Sequence, residues 1–272
     1  MKIQEVVAKS SLVKSKLSQF TVNPYLGCGH GCRYCYASMI MQRFHHKEER
    51  WGDFVDARIN TPRNLEKELR NKNGVSIYMS SMTDCYQPIE EKYEITRAAL
   101  KVLLSYEKGL FPKKNSLTIQ TKSALVLRDL DILKKLSKVE VGLTITALNE
   151  YYSSIFEPGA SKPSKRLKAL ETLNKAGVKT YAFFGPILPG ISDSYGKIKE
   201  IIQAIYNTGT KSIIVDKLNY FENLPRLKSI TKELNLYDKF YYSLGENYKI
   251  ELKQKLSMIQ KDFKDVHFEI VF

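Results

Sequence analysis

The feature that most constrains this chain is the serial alternation of short β-branched runs with longer helical ones. Extended runs are read at 17–23, 54–59, 75–81, 116–122, 139–147, 178–186, 211–218 and 266–272. Helical stretches lie between them, several with clear start or stop signals. Thr61 and Pro62 open one with proline at its first position, Glu90 and Glu91 sit in the first turn of another, and Gly177 closes a third after 163–176. Six βα units in series predict a parallel sheet with right-handed crossovers. They are too few for a closed eight-stranded barrel, so the expected fold is α/β, a partial (βα)6 TIM-like barrel. Residues 1–219 are expected to form this core, with 220–272 as a C-terminal α/β extension packed on it.

Sites in such folds lie at the C-terminal ends of the strands. The polar residues of this chain gather there, at 80–84, at 121–123, at Thr144 and Thr146, and at 185–187. So does the densest chemistry in the sequence, Cys28, Cys32 and Cys35 in the spacing C-x3-C-x2-C. Three thiolates on one short loop can grip a metal centre together. An iron–sulfur cluster held wholly by protein has four thiolates. Three leave one iron open, and catalytic metal sites keep such a position free. Two other readings stand beside this one. A disulfide can join only two of the three, and Cys85 is the sole further cysteine. A structural zinc is possible if His30, His45 or His46 completes a Cys3His set.

Composition narrows the partner and the compartment. Lys and Arg number 43 against 29 acidic residues, a net charge of +14. That balance favours a polyanion such as nucleic acid, or else reflects a lysine-rich solvated surface. No apolar run is long enough for a membrane span or a secretory leader. Four cysteines in 272 residues fit a reducing compartment, so a cytoplasmic protein without membrane attachment is expected. Nothing in the sequence sets the oligomeric state.

Taken in order, residues 23–37, 81–88, 121–123, Arg128 with Asp129, Glu157 with Pro158, and 186–190 resemble the radical S-adenosylmethionine (radical SAM) superfamily, in its spore photoproduct lyase-like branch. The resemblance implies a radical SAM barrel. It also implies that Cys28, Cys32 and Cys35 ligate a [4Fe–4S] cluster whose open iron takes the amino and carboxylate groups of S-adenosylmethionine (SAM). Reductive cleavage of SAM to a 5′-deoxyadenosyl radical would then abstract hydrogen from a substrate, with a flavodoxin- or ferredoxin-like electron donor. By the same resemblance Tyr34 packs near adenine. Ser80, Ser81 and Met82 meet the SAM amino group, Thr144 and Thr146 the ribose and methionine, and Ile187 lies against the adenine. Arg166 either pairs with the SAM carboxylate or is an exposed arginine on a basic helix.

One departure bears on the reaction. The lyases of this branch carry a hydrogen-donating cysteine on the second barrel strand, where this chain has Ser80 and Ser81. Cys85 follows later, as a displaced donor or a neutral replacement. Dimer repair is therefore not inferred. Nucleic acid is the first expectation for the substrate. A peptide or small metabolite is the rival within the same chemistry, and a zinc-stabilised nucleic-acid-binding protein is the rival outside it.

Overall fold

The computed structural model describes the chain except residues 45, 47, 110, 111, 113, 220, 222 and 223 and the side chains of 42–44. The strands are β1 (Lys2–Val6), β2 (Val13–Lys14), β3 (Phe20–Val22), β4 (Tyr25–Gly27), β5 (Phe54–Arg58), β6 (Ser76–Met79), β7 (Ser116–Thr121), β8 (Val139–Thr144), β9 (Lys179–Ile187), β10 (Ser212–Lys217) and β11 (His267–Ile270). The main sheet runs β2-β3-β6-β7-β8-β9-β10-β11. Every pairing in it is parallel except the short antiparallel β2–β3 pair. The order follows the chain, as successive βα units require. Among the described residues β2 and β11 are the two edges of this sheet and do not pair, so the α/β barrel is not closed there.

Two strands lie outside the six expected barrel strands. The run at 54–59 stays apart from the barrel, in keeping with the count that makes 75–81 the second barrel strand. As β5 it pairs parallel with β1 and antiparallel with β4 in a separate three-stranded sheet. The last run does more than extend the domain, since β11 pairs parallel with β10 and lengthens the main sheet by one strand. Between them lie the helices Pro225–Glu233, Tyr237–Tyr242 and Glu246–Gln260.

Alternation along the strands sorts side chains between two faces. In β7, Leu117, Ile119 and Thr121 are buried while Ser116, Thr118 and Gln120 are less so. The apolar set packs under the helices with Ile77, Met79, Val141, Leu143, Ala182, Phe184 and Ile213. Inside the barrel the layer is polar: Tyr78 donates to Gln120 Oε1 at 2.7 Å and Tyr181 reaches the same oxygen at 3.3 Å. Gly142 makes room for this layer, because a Cβ there would lie 2.1 Å from the Tyr181 ring.

A buried ion network ties the small sheet to the barrel. Glu90 accepts from the Tyr25 hydroxyl, from the Thr96 amide at 3.0 Å and from Arg128 Nη2 at 2.6 Å. Arg97 and Arg128 both grip Asp129. Arg128 and Asp129 are thus framework residues. Among the described residues no helix is long and apolar enough to cross a membrane.

Candidate active site

The loop of the three cysteines leaves β4 at Gly27, whose φ of +76° suits a residue without a Cβ. It then runs between two apolar clusters. Cys28 packs with Ala37, Met41, Trp51 and Phe54, and Cys32 with Tyr34, Phe156 and Phe240. Two side chains from the segment after β6 fix its path. Gln87 accepts the Gly29 amide at 2.7 Å and donates to the Gly27 carbonyl at 3.4 Å and to Thr83 Oγ1 at 3.0 Å. Thr83 in turn donates to the Gly27 carbonyl at 2.6 Å. On the far side Gly159 N–H bonds to the His30 carbonyl at 2.9 Å. The backbones there are so close that a Cβ on Gly159 would sit 2.2 Å from the Gly29 oxygen.

All three thiols open into one cavity at the C-terminal ends of β6, β7 and β8, about 670 Å³ in volume with its open mouth included. Its other walls are Trp51, Ser80–Asp84, Thr121, Lys122 and Thr144, with Tyr78 and Gln120 of the polar layer. Ser80 turns the chain into the cavity at a φ of +75°, a strained value for serine. The Ser81 hydroxyl is held by Thr21 and Asn23, and the Met82 amide by Asn23 Oδ1. The Ser81 carbonyl accepts the Tyr36 hydroxyl.

Charge around the thiols is balanced by two separate devices. Asp84 is buried and accepts from Thr121 Oγ1 at 2.7 Å and from the Lys122 amide at 2.8 Å, with His30 Nδ1 at 3.3 Å. Burial opposes its ionisation, yet His30 and these donors outweigh it and hold the carboxyl at about 2. Lys122 reaches over the Tyr34 ring at 5.7 Å, and its ammonium makes no hydrogen bond or ion pair among the described residues. Burial pulls its pKa down, but Cys32, Glu157, Cys35 and Asp84 together raise it, so the ammonium stays charged. Burial pushes the free Cys32 thiol up to about 12, with Lys122 opposing and Glu157 adding. The Cys28 and Cys35 thiols are also raised, first by burial. Buried thiols of this kind become thiolates only beside a positive centre.

Behind Cys32 lies a closed polar knot. Glu157 accepts from Tyr34 and from Arg166 Nη2. Arg166 also donates to the Ser161 carbonyl at 2.6 Å, the Thr144 carbonyl at 2.8 Å and Ser153 Oγ at 3.1 Å. The structure corrects one of the two sequence expectations for Arg166, that of an exposed arginine on a basic helix. It is fully buried rather than exposed, and its donors are spent on the protein rather than offered to the cavity. Tyr34 is likewise engaged by its hydroxyl in the knot. Thr144 lines the cavity, whereas Thr146 and Ile187 are buried outside its lining, Ile187 within the main core. Cys85 too is fully buried in that core and is not part of the cavity wall. Gln120 was not singled out from the sequence, and Asp84 and Gln87 stood there only within the stretches 80–84 and 81–88, with no role assigned. A fixed acid and amide just after a strand end are the signals that could have found them.

The donor set can be tested against single metal ions and larger groups. Among the described residues no three His, Cys, Asp or Glu side chains converge on a point where one ion would sit. His45, one of the candidate zinc ligands, lies outside the described residues. Three thiols lining one open cavity fit a cluster better than a lone zinc.

Comparison with known proteins agrees. The Radical SAM superfamily model matches residues 22–205, so the chain belongs to that superfamily. It is a radical SAM enzyme, with SAM and a [4Fe–4S] cluster as cofactors. An uncharacterized protein of Methanocaldococcus jannaschii is 37% identical over 196 residues, 71% of this chain and 70% of the relative. Among solved structures, spore photoproduct lyase with bound AdoMet and dinucleoside spore photoproduct superposes with a TM-score of 0.70. It is 16% identical and covers 98% of this chain and 81% of the lyase. Streptococcus suis SuiB bound to its precursor peptide superposes at 0.57, with 17% identity, 93% of this chain and 48% of SuiB. These likenesses describe the fold.

Proposed function

We propose that Cys28, Cys32 and Cys35 hold the cluster, that SAM occupies the cavity beside them, and that the substrate enters over the open barrel. The observation that carries this reading is the opening of all three thiols into one cavity at the strand ends. When bound, the cofactor pair supplies a 5′-deoxyadenosyl radical that abstracts a hydrogen atom from the substrate. The rest is done by the chain. Gln87 and Thr83 fix the loop, so the three sulfurs are presented without reorganisation. Lys122 places a cation beside Cys32 and Cys35, where an anionic group of a ligand would be steadied. Ser80, Ser81, Met82 and Thr144 supply the polar wall for SAM. Arg166, Tyr34, Thr146 and Ile187 act at one remove, by fixing that wall and its backing. The apolar clusters on either side of the loop keep water from the sulfurs.

We further propose nucleic acid as the substrate, with a flavodoxin- or ferredoxin-like protein as electron donor. The net charge of +14 supports a polyanion, and the lyase with the same fold is bound to a dinucleoside photoproduct. A peptide substrate is the second reading, favoured by the precursor peptide bound to SuiB. In both readings residues 1–219 are the core and 220–272 an extension packed on it. Anaerobic reconstitution tests the assignment of ligands: about four irons and four sulfides per chain are expected, and Cys28→Ala, Cys32→Ala or Cys35→Ala should each abolish the brown chromophore. Dithionite and SAM should then yield 5′-deoxyadenosine. Stoichiometric zinc without labile sulfide would refute the assignment. Binding of labelled single-stranded and duplex oligonucleotides across a salt series decides the substrate class, and negligible affinity at low salt would favour the peptide.

A further inference from the structure

A second pocket backs onto the cysteine loop. It shares Cys32 and Trp51 with the cavity, and the rest of its wall carries Arg33, Arg50 and Arg226 with the first turns of two helices. Like charges gathered this closely repel, and Arg50 already acts against the charge on Arg33. Among the described residues, Asp53 is the acid that offsets them. Arg226 donates through Nη1 to the Trp51 carbonyl at 2.9 Å and forms no ion pair among the described residues. Arg50 reaches Asp53 only at 3.9 Å, with both side chains well exposed.

Two residues of this wall carry a donor without an acceptor. Arg33 Nε and Trp51 Nε1 are both buried without a hydrogen-bond partner among the described residues, and Trp51 as a whole is only 6% exposed. Buried donors left unpaired are rare and costly in folded proteins. The helix Pro225–Glu233 also starts here, with Leu224 at its N-cap and no side-chain cap among the described residues, and an uncapped helix start favours an anion.

We propose that this pocket binds an oxyanion, a phosphate or carboxylate group, held by Arg33, Arg50, Arg226 and the Trp51 indole N–H. Guanidinium groups suit such a ligand because their paired N–H groups match its oxygens. Arg33 stands in the cysteine loop and Arg226 in the first turn of the helix Pro225–Glu233, so the bound anion would join the two. The site adjoins the substrate cavity through Cys32 and Trp51 but does not depend on which substrate the cavity takes.

The test is calorimetric titration of the reconstituted full chain, under anaerobic conditions and at ionic strength held constant with potassium chloride. The probes are inorganic phosphate, acetate and the dinucleoside monophosphate TpT. Saturable one-site binding of phosphate or acetate is expected, weakened about tenfold or more by Arg226→Gln and weakened also by Trp51→Phe, which keeps a ring without the N–H. TpT binding at the same site would assign the oxyanion to a nucleic-acid backbone; phosphate binding without it would assign a free ligand. Arg50→Gln, at an exposed side chain, carries the test if Arg226→Gln fails to fold. No saturable binding by any probe, or equal binding by wild type and the folded variants, would overturn the proposal.

Discussion

Glu157 and Arg166 face each other as a fully buried ion pair directly behind the cysteine loop. The pair closes a hydrogen-bond knot that takes in Tyr34 on one side and the end of β8 on the other. Breaking one half of such a pair strands the other charge. Arg166→Met should destabilise the chain by about 3–5 kcal/mol, and the double variant with Glu157→Gln should lose less than the two single losses added together. Urea denaturation of the three variants measures this coupling.

Gln87 should matter more than its distance in sequence from the cysteines suggests. Its amide saturates Gly29 N–H on one end and the Gly27 carbonyl and Thr83 on the other. Gln87→Ala leaves a loop amide without its partner, at a cost of about 1–3 kcal/mol. Iron content after reconstitution should fall along with thermal stability, and both are read on one sample.

Asp84 gives the pH dependence a sign. Its folded pKa of about 2 lies below the unfolded value of 3.8. A carboxylate depressed in this way stabilises the fold fully above about pH 4 and loses that contribution as pH falls toward 2. Unfolding free energies measured between pH 6 and 2.5 should therefore drop over the lower part of that range. Asp84→Asn should be less stable at neutral pH and show a shallower drop.

Cys85→Ala should keep the chromophore and SAM cleavage, because the thiol is buried in the core away from the cavity lining. Iron analysis and a cleavage assay on the variant check this. Loss of the cluster would make Cys85 a ligand, and loss of product alone would make it a hydrogen donor.

The sequence carried the barrel well, because period-two burial and helix start and stop signals are local properties. It left the run at 54–59 without a sheet, since alternation says that a strand forms but not which sheet it joins; pairing with β1 depends on contacts some fifty residues apart. The cysteines were legible because their chemistry is fixed by spacing alone. Arg166 was not, for a positive charge on a helix reads as solvated unless its acidic partner is known to meet it. Nor was the polar layer of Tyr78, Gln120 and Tyr181, which exists only because Gly142 yields its volume to a ring on the next strand.

The contact between Gly159 and Gly29 has a consequence for how the chain tolerates change. Position 159 carries no functional group and lies more than a hundred residues from the cysteines. Even so, one added methyl would act as a wedge, prying the loop from its bed where the carbonyl of Gly29 now leaves no room. In a library of random variants selected for function, substitutions at 159 should be as depleted as those at the cysteines. Their loss would reflect occupied space rather than missing chemistry.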